Sequence, residues 1–177
     1  MANYLKFNAK ILANDHIVFD ELKSNEMVNV YVPFTNINNY IFDLFGAFEF
    51  QHHGTIMIQS LMKLNTQEKE TITYVHVHGQ EMDIALITNR KLLLYNSFGF
   101  NTKEDFLYYL LFVLEQLDLD PHGIVLKFFG DIEEGDENYE LCKAYIKRIT
   151  LFVPPINAFP MYDPNQNSID FAMLSTL

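Results

Sequence analysis

The sequence is poor in the residues that mark secreted, membrane-spanning or phosphate-binding proteins. It has one cysteine in 177 residues, so no internal disulfide can form and a reducing compartment is expected. Its 7 glycines are never adjacent and form no phosphate-cradling cluster. The strongest apolar run, 107–114, is far shorter than the ~20 residues of a membrane span. No basic stretch followed by an apolar core opens the chain, so we expect no signal peptide and a cytoplasmic location.

Basic residues are also scarce. Lys and Arg number 12 against 23 Asp and Glu, which gives a formal net charge of −11. A surface this acidic repels nucleic-acid phosphates and anionic lipid headgroups. The composition therefore predicts neither a nucleic-acid partner nor membrane insertion. Hydrophobic residues make up 49% of the chain, which is typical of a globular protein.

What the sequence does contain is sharp periodicity after residue 70. Residues 73–78 alternate, with Val75 and Val77 on one face, and predict a half-buried strand. Strands over 82–88 and 91–97 follow after short turns. Such short connections force antiparallel neighbours, so we predict a three-stranded meander.

The period then changes to a helical one. Thr102 can cap a helix whose first turn carries Glu104 and Asp105, and further segments follow it. They are predicted as a strand at 124–129, a helix at 138–149, a strand at 150–153 and a short apolar element at 171–177. The order β-β-β-α-β-α-β is an α/β, ribonuclease-H-like layout with a mixed sheet.

The first 70 residues differ from the rest. We predict an irregular segment over 1–23, strands at 28–32 and 47–52, and helices at 36–45 and 55–64. A polar linker over 65–70 follows. The predicted domains are a partial β-α-β-α lobe, 1–70, and a complete ribonuclease-H-like lobe, 71–177.

Several segments together resemble a known family. They are 28–33, 36–39, 42–46, 53–56, 96–98, 104–109, 115–120, 129–131 and 145–146. The chain is similar to a bacterial family of unknown function, found mainly among Bacteroidetes, whose members are assigned an actin-like ATPase fold. Members are typically longer at the N-terminus, and the extra part would supply the meander of the first lobe. The resemblance implies a fold and no particular activity.

Actin-like ATPases hold phosphates in the first hairpin of each lobe and near paired small residues after the fourth strand. The resemblance implies that a nucleotide, if one binds, would contact Gly79, Gln80, Gly130 and Asp131. The family hairpin typically carries a metal-binding Asp two residues before the Gly, and here that residue is Val77. Burial of a triphosphate without a metal anchor or basic residues is unfavourable.

The sequence therefore favours a non-enzymatic protein-interaction or scaffold module, with no catalytic residues and no cofactor. The alternative is a divergent nucleotide-binding, actin-like ATPase that uses ATP and magnesium. The expected partner is a protein, and a homo-oligomer is one form such an interaction would take. The aromatic content of 15% leaves residues for a recognition surface. Tyr108 and Tyr109, adjacent on one helix, cannot both face the core.

Two histidines and the cysteine are further candidates for chemical roles. His76 and His78 share one strand face, a spacing that zinc sites use, but no Cys pair or HExxH motif supports them. We keep both as candidate metal ligands and prefer histidines on a polar or partner-facing surface. Cys142 lies in a predicted helix, where we expect a packed thiol and not a nucleophile.

Overall fold

The computed structural model describes residues 11–12, 15–64 and 70–153. The chain divides into two compact units, Met1–Gln59 and Ser60–Leu177. The strands are β1 (Val18–Leu22), β2 (Met27–Tyr31), β3 (Ile72–His78), β4 (Glu81–Thr88), β5 (Lys91–Gly99), β6 (Val125–Gly130) and β7 (Ile149–Leu151). The helices are α1 (Thr35–Phe45), α2 (His53–Leu64), α3 (Lys103–Gln116) and α4 (Glu137–Lys143).

The second unit is built on one mixed sheet with the strand order β5-β4-β3-β6-β7. Strands β3, β4 and β5 form an antiparallel meander. Strand β6 then runs parallel to β3, and β7 runs parallel to β6. The predicted meander and its two parallel neighbours are confirmed, and with them the α/β fold class.

Local signals explain why these elements begin and end where they do. Asn89 and Arg90 both have positive φ, at 48° and 61°, as the tight turn between β4 and β5 requires. At the start of α3, the Asp105 N–H donates to Thr102 Oγ1 at 3.1 Å. The Thr102 N–H donates in return to the Asp105 carboxylate at 3.1 Å. This capping box confirms the predicted helix start.

Both faces of the central strand are buried. Val75 and Val77 join a core with Phe106, Leu110 and Phe128 on one side of the sheet. The prediction of a half-buried β3 is wrong, because Tyr74 and His76 on the opposite face are also buried. The rings of Phe129 and Phe152 pack on that face.

Helix α4 ends at Lys143, six residues before the predicted end. Ile149 pairs with Leu126 in the parallel β6–β7 ladder, so the chain must leave the helix in time to enter the sheet. The predicted strand at 150–153 is confirmed as β7, one residue earlier. The predicted element at 171–177 and most of the linker, 65–69, lie outside the described residues.

The first unit carries two corrections. The segment predicted as irregular contains β1, which pairs antiparallel with β2. The predicted strand at 47–52 is wrong, since these residues form no ladder and the His52 N–H donates to the Asp20 carboxylate at 2.8 Å instead. The described order is therefore β-β-α-α and not β-α-β-α. No helix within the described residues is long and apolar enough to cross a membrane.

Candidate functional site

The predicted phosphate hairpin lies at one end of the second unit's sheet. Strand β3 ends at His78, and Gly79, with φ of 56°, forms the turn into β4. Strand β6 runs parallel to β3 with Gly130 opposite Val77. The carboxyl end of β6 therefore lies beside the hairpin, and Gly79, Gly130 and Asp131 come together as the resemblance implied.

Asp131 makes two hydrogen bonds to this hairpin, and we call this arrangement the closed hairpin. The Gly79 N–H donates to the Asp131 carboxylate at 3.0 Å. The Asp131 N–H in turn donates to the Val77 carbonyl at 2.8 Å. The backbone donor that a phosphate would use is thus occupied by a carboxylate of the same chain. Gln80 contributes its carbonyl, which accepts from the Phe100 N–H at 2.9 Å.

Gly130 lies opposite Val77, at a position of β6 that leaves no room for a side chain. It has φ of 88°, and a Cβ at this position would overlap the Val77 carbonyl oxygen. The same Cβ would lie 2.9 Å from His76 Cδ2. Glycine is required here both for its backbone conformation and for the space it leaves.

Three basic residues of the second unit are candidates for neighbours of the hairpin, and the structure places each of them. The Lys127 ammonium lies 5.6 Å from the centroid of the Tyr74 ring. The turn with Arg90 is at the opposite end of β4 from the hairpin. Lys103, at the start of α3, forms an ion pair with Glu137 at 3.1 Å. The Lys103 ammonium is therefore paired with Glu137, and Arg90 lies away from the Asp131 carboxylate.

A second polar cluster lies between β3, β4 and β5. The Asp83 carboxylate accepts a hydrogen bond from Ser97 Oγ and lies 3.4 Å from His76 Nδ1. Burial, and then the charge of Asp83, raises the pKa of Tyr95 in the same cluster. Because Ser97 is bonded to the carboxylate and not to the imidazole, this is not a serine–histidine nucleophile arrangement.

The two candidate metal ligands have different surroundings. His76 is 5% exposed, so the prediction of a surface histidine is wrong at this position. His78 is exposed, and its Nδ1 lies 3.7 Å from the Asp131 carboxylate. The two rings are nearly parallel with centroids 6.4 Å apart. Metal ligation by this pair stays a prediction.

Cys142 is a packed thiol. It is fully buried on α4, within the main core. Burial raises its pKa to about 12, so the thiolate needed for nucleophilic chemistry does not form near neutral pH.

The first unit has a buried polar cluster of its own around Asp20. The Asp20 carboxylate accepts from Tyr31 Oη at 3.0 Å, from the His52 N–H at 2.8 Å and from Thr55 Oγ1 at 2.6 Å. Asn29 Nδ2 donates to Thr55 Oγ1 at 2.9 Å. The carboxylate joins the β1–β2 hairpin to the start of α2, which is a structural role.

The second unit also bears an open groove of about 670 Å³ near the end of α3. Leu111 and Tyr145 line it together with Glu115, Asp118 and Asp120. Its carboxylates make it unsuited to an anionic ligand. None of the residues predicted for a nucleotide or metal site lies in it.

The sequence reasoning missed the two carboxylates that organise these sites. Asp131 is predicted from the sequence as a candidate nucleotide contact, and no sequence prediction singles out Asp20. A signal for Asp131 existed, since it directly follows a strand predicted to pair beside β3. No comparable local signal marks Asp20, whose partners are 11, 32 and 35 residues away.

A known protein family matches most of the chain. The family described as "Protein of unknown function (DUF3822)" matches residues 1–149. The chain belongs to this family. The resemblance to a family of unknown function is thereby confirmed, and no curated protein matches the chain.

A solved structure is similar to this DUF3822 chain. It is a Bacteroides thetaiotaomicron protein described as having an actin-like ATPase fold and unknown function. The TM-score is 0.81 at 19% sequence identity, over 99% of this chain. The aligned region is 63% of the Bacteroides protein, so this chain spans less than two thirds of that length. At this identity, the similarity establishes the fold alone.

Proposed function

We propose that this protein is a non-enzymatic, cytoplasmic protein-interaction module on an actin-like ATPase fold, and that it uses no nucleotide cofactor. The observation that carries the proposal is the hydrogen bond from the Gly79 N–H to the Asp131 carboxylate. The backbone donor of the phosphate hairpin is already satisfied by a negative charge.

The electrostatics of that carboxylate oppose nucleotide binding. A phosphate that approached Gly79 would have to displace Asp131 and would then lie beside it. Two like charges about 4 Å apart repel by roughly 1 kcal/mol in water and about 4 kcal/mol near a protein surface. The Val77 side chain offers no oxygen to a magnesium ion that could offset this repulsion.

The interaction half of the proposal is supported by the first unit. Helix α1 has no buried residue among its eleven, all of which are described. Tyr40 and Phe45 are among the large hydrophobic side chains that it exposes, and Phe34 at its N-cap is exposed as well. Exposed apolar patches rimmed by polar residues mark protein–protein contact sites more often than ordinary surface.

A second candidate function is divergent nucleotide binding. Its supporting observation is the approach of two positive-φ glycines, Gly79 and Gly130, at the sheet end where the hairpin and the β6 loop meet. Asp131 is half exposed, so its side chain has room to rotate away from Gly79. Under this alternative, ATP and magnesium would replace the Asp131 contact.

Isothermal titration calorimetry with ATP and magnesium separates the two functions. We expect no binding by the wild-type protein at millimolar nucleotide, because the hairpin donor is occupied. Micromolar binding by the wild type would overturn the proposal in favour of the ATPase alternative.

An Asp131→Ser variant tests the closure itself. Removal of this carboxylate frees the Gly79 N–H, so we expect weak phosphate or ATP binding to appear. Asp118→Asn, an exposed carboxylate away from the hairpin, is the matched control for net charge and should bind nothing.

A further inference from the structure

The groove at the end of α3 combines an apolar wall with an acidic rim. The apolar wall includes Leu111, Leu119 and Tyr145. Three acidic residues line the same groove, Glu115, Asp118 and Asp120, and we call them the groove carboxylates. The volume of about 670 Å³ falls within the range of ~300–1,000 Å³ that is usual for ligand clefts. The groove is therefore large enough for one or two side chains of a bound partner.

The charge of the groove carboxylates is not balanced by basic residues. Within the described part of the chain, no Lys or Arg lines the groove. Lys143 forms an ion pair with Glu140 at 3.0 Å. Arg148 forms one with Glu70, also at 3.0 Å. Lys147 is exposed but does not line the groove.

The end of α3 presents the groove carboxylates together. Asp118 leaves the helix with φ of 53°, and its N–H donates to the Glu115 carbonyl at 3.0 Å. The Asp120 carboxylate accepts from the His122 N–H at 2.9 Å. The negative end of the helix dipole lies at the same place and adds to the field of the carboxylates. A cationic group is the ligand that this field favours.

The outward face of α3 extends the groove as an apolar surface. Four residues share this face at helical spacing, Tyr108, Leu111, Phe112 and Glu115. Tyr108 is 61% exposed and Phe112 is 39% exposed. Their rings are nearly parallel, with centroids 6.0 Å apart, and we call them the aromatic pair. Glu104, one turn before Tyr108, places a further carboxylate on the same face.

We propose that this surface binds a peptide segment of a partner protein that carries an arginine about three residues from a large apolar side chain. This inference rests on the proposed function as an interaction module and gives the chemistry of the partner. The guanidinium would bond to the groove carboxylates, while the aliphatic stem of the arginine packs on Leu111 and Tyr145. The planar guanidinium also stacks on tyrosine rings, which favours arginine over lysine.

The helix geometry sets the spacing within the peptide. Seven residues separate Tyr108 from Glu115, which is about 10 Å along the helix axis. An extended peptide covers that distance in three residues, at about 3.3 Å each. The apolar side chain of the peptide would therefore pack on the aromatic pair when the arginine lies in the groove.

The sign of the charge disfavours other macromolecules. Nucleic-acid phosphates and anionic lipid headgroups are repelled by the groove carboxylates. A second copy of this chain in a two-fold contact would bring its own groove carboxylates against those of the first. A free polyamine would match the charge but would leave the aromatic pair uncovered.

Selection of a random peptide library on the immobilised full chain tests the proposal. We expect the enriched peptides to carry an arginine two to four positions from a large apolar residue. Calorimetry then measures the affinity of the most enriched peptide and of its citrulline analogue, which keeps the shape of arginine without its charge. The analogue should bind at least tenfold more weakly. A selection without enriched peptides, or equal affinity of the analogue, would overturn the proposal.

Paired variants test the acidic half of the surface. Glu115→Gln with Asp118→Asn should weaken binding of the enriched peptide at least tenfold, because two carboxylates of the groove are lost. Glu133→Gln with Glu134→Gln is the matched control, since it changes the net charge equally on an exposed loop outside the groove. This control should bind as the wild type does. Equal weakening by the two pairs would show that only the overall charge attracts the peptide.

The aromatic half has a matched pair of its own. Tyr108→Ser should weaken binding of the same peptide severalfold, because the apolar side chain loses its contact. Tyr40→Ser removes a ring that is 66% exposed on the first unit and should leave the affinity unchanged. Circular dichroism checks that both variants fold. Equal affinities of the two variants would contradict the role of the aromatic pair.

Salt and a competing cation complete the test. Binding should weaken between 50 and 500 mM NaCl, because salt screens the charges that hold the arginine. Unchanged affinity over this range, or displacement of the peptide by spermidine at equal concentration, would overturn the proposal. A chain that binds neither peptide nor ATP refutes the peptide site alone. A chain that binds the peptide and also binds ATP at micromolar concentration refutes the proposed function alone.

Discussion

The two units use the same kind of residue in opposite ways. In the second unit, Phe106 is 0% exposed and contacts the rings of Phe100 and Phe128 inside a sheet–helix core. In the first unit, Phe45 on α1 is 77% exposed. Aromatic content alone therefore does not distinguish a core from a recognition surface, and the placement of each ring has to be known.

The comparison also concerns how much each unit contributes to the stability of the fold. The second unit packs a hydrophobic core on one face of a five-stranded sheet, and the side chains of Tyr74 and His76 on the other face are also buried. The first unit has a two-stranded sheet, which is marginal on its own in water, and a hydrogen-bonded carboxylate at its centre. We expect the second unit to carry most of the folding free energy.

The largest predicted effect tests the core directly. Phe106→Ala leaves a cavity in the second unit and should lower the free energy of unfolding by about 3–5 kcal/mol. The matched change Phe45→Ala removes an exposed ring and should stay within about 0.5 kcal/mol. Urea denaturation measures both. Equal losses of unfolding free energy would contradict the conclusion that the two rings have different roles in the two units.

The next effect tests how closely β3 and β6 pack beside Gly130. Gly130→Ala and Gly135→Ala both place a Cβ at positive φ, which costs about 1–2 kcal/mol. A Cβ at Gly135 meets nothing within 4 Å, while one at Gly130 overlaps the Val77 carbonyl. We expect Gly130→Ala to be clearly the more destabilising in urea denaturation. Similar costs would mean that β3 and β6 separate easily.

A smaller effect tests what holds the first unit together. Asp20→Ala removes an acceptor from three donors, and a hydrogen bond to a charged group contributes about 1.5–3 kcal/mol. We expect a loss of at least about 2 kcal/mol. Asp43→Ala, an exposed carboxylate on α1, is the control and should change little. Hydrogen exchange of the β1–β2 amides resolves the effect, and unchanged protection in the Asp20 variant would contradict it.

The smallest effect is a pH dependence in the same cluster. Burial, followed by the hydrogen bond to Asp20, raises the pKa of Tyr31 from 10 to about 12. A raised pKa means that the folded state holds the proton more tightly. This contribution to stability is complete below pH 10 and is lost as the pH rises towards 12.

Thermal unfolding followed between pH 9 and 12 measures this contribution. Tyr31→Phe removes the titrating group and should show a shallower alkaline loss than the wild type. Tyr40→Phe, on exposed α1, should keep the wild-type profile. A Tyr31→Phe profile that overlays the wild type would show that this phenol does not couple to folding.

Much of the second unit could be predicted from the sequence because its signals are local. Short turns fixed the β3–β4–β5 meander, and Thr102 with Asp105 marked the start of α3. Burial of the second sheet face was missed because it depends on the rings of Phe129 and Phe152, which reach β3 only through the fold.

The first unit was harder to predict because its contacts also depend on the fold and not on local sequence signals. Strand β1 is five residues long, and its pairing with β2 is visible only in the folded chain. A strand is predicted at 47–52, but no neighbouring strand pairs with it among the described residues. The turn at Gly79 between β3 and β4 is confirmed, while the hydrogen bonds that Asp131 makes to it depend on the register of β6 against β3.

The most direct test of the closed hairpin is the backbone amide resonance of Gly79 in a ¹⁵N-labelled sample titrated with ATP and magnesium. The account predicts that this resonance stays in place up to millimolar nucleotide, because its proton already bonds to Asp131. A saturable shift of the Gly79 amide at micromolar ATP would contradict it.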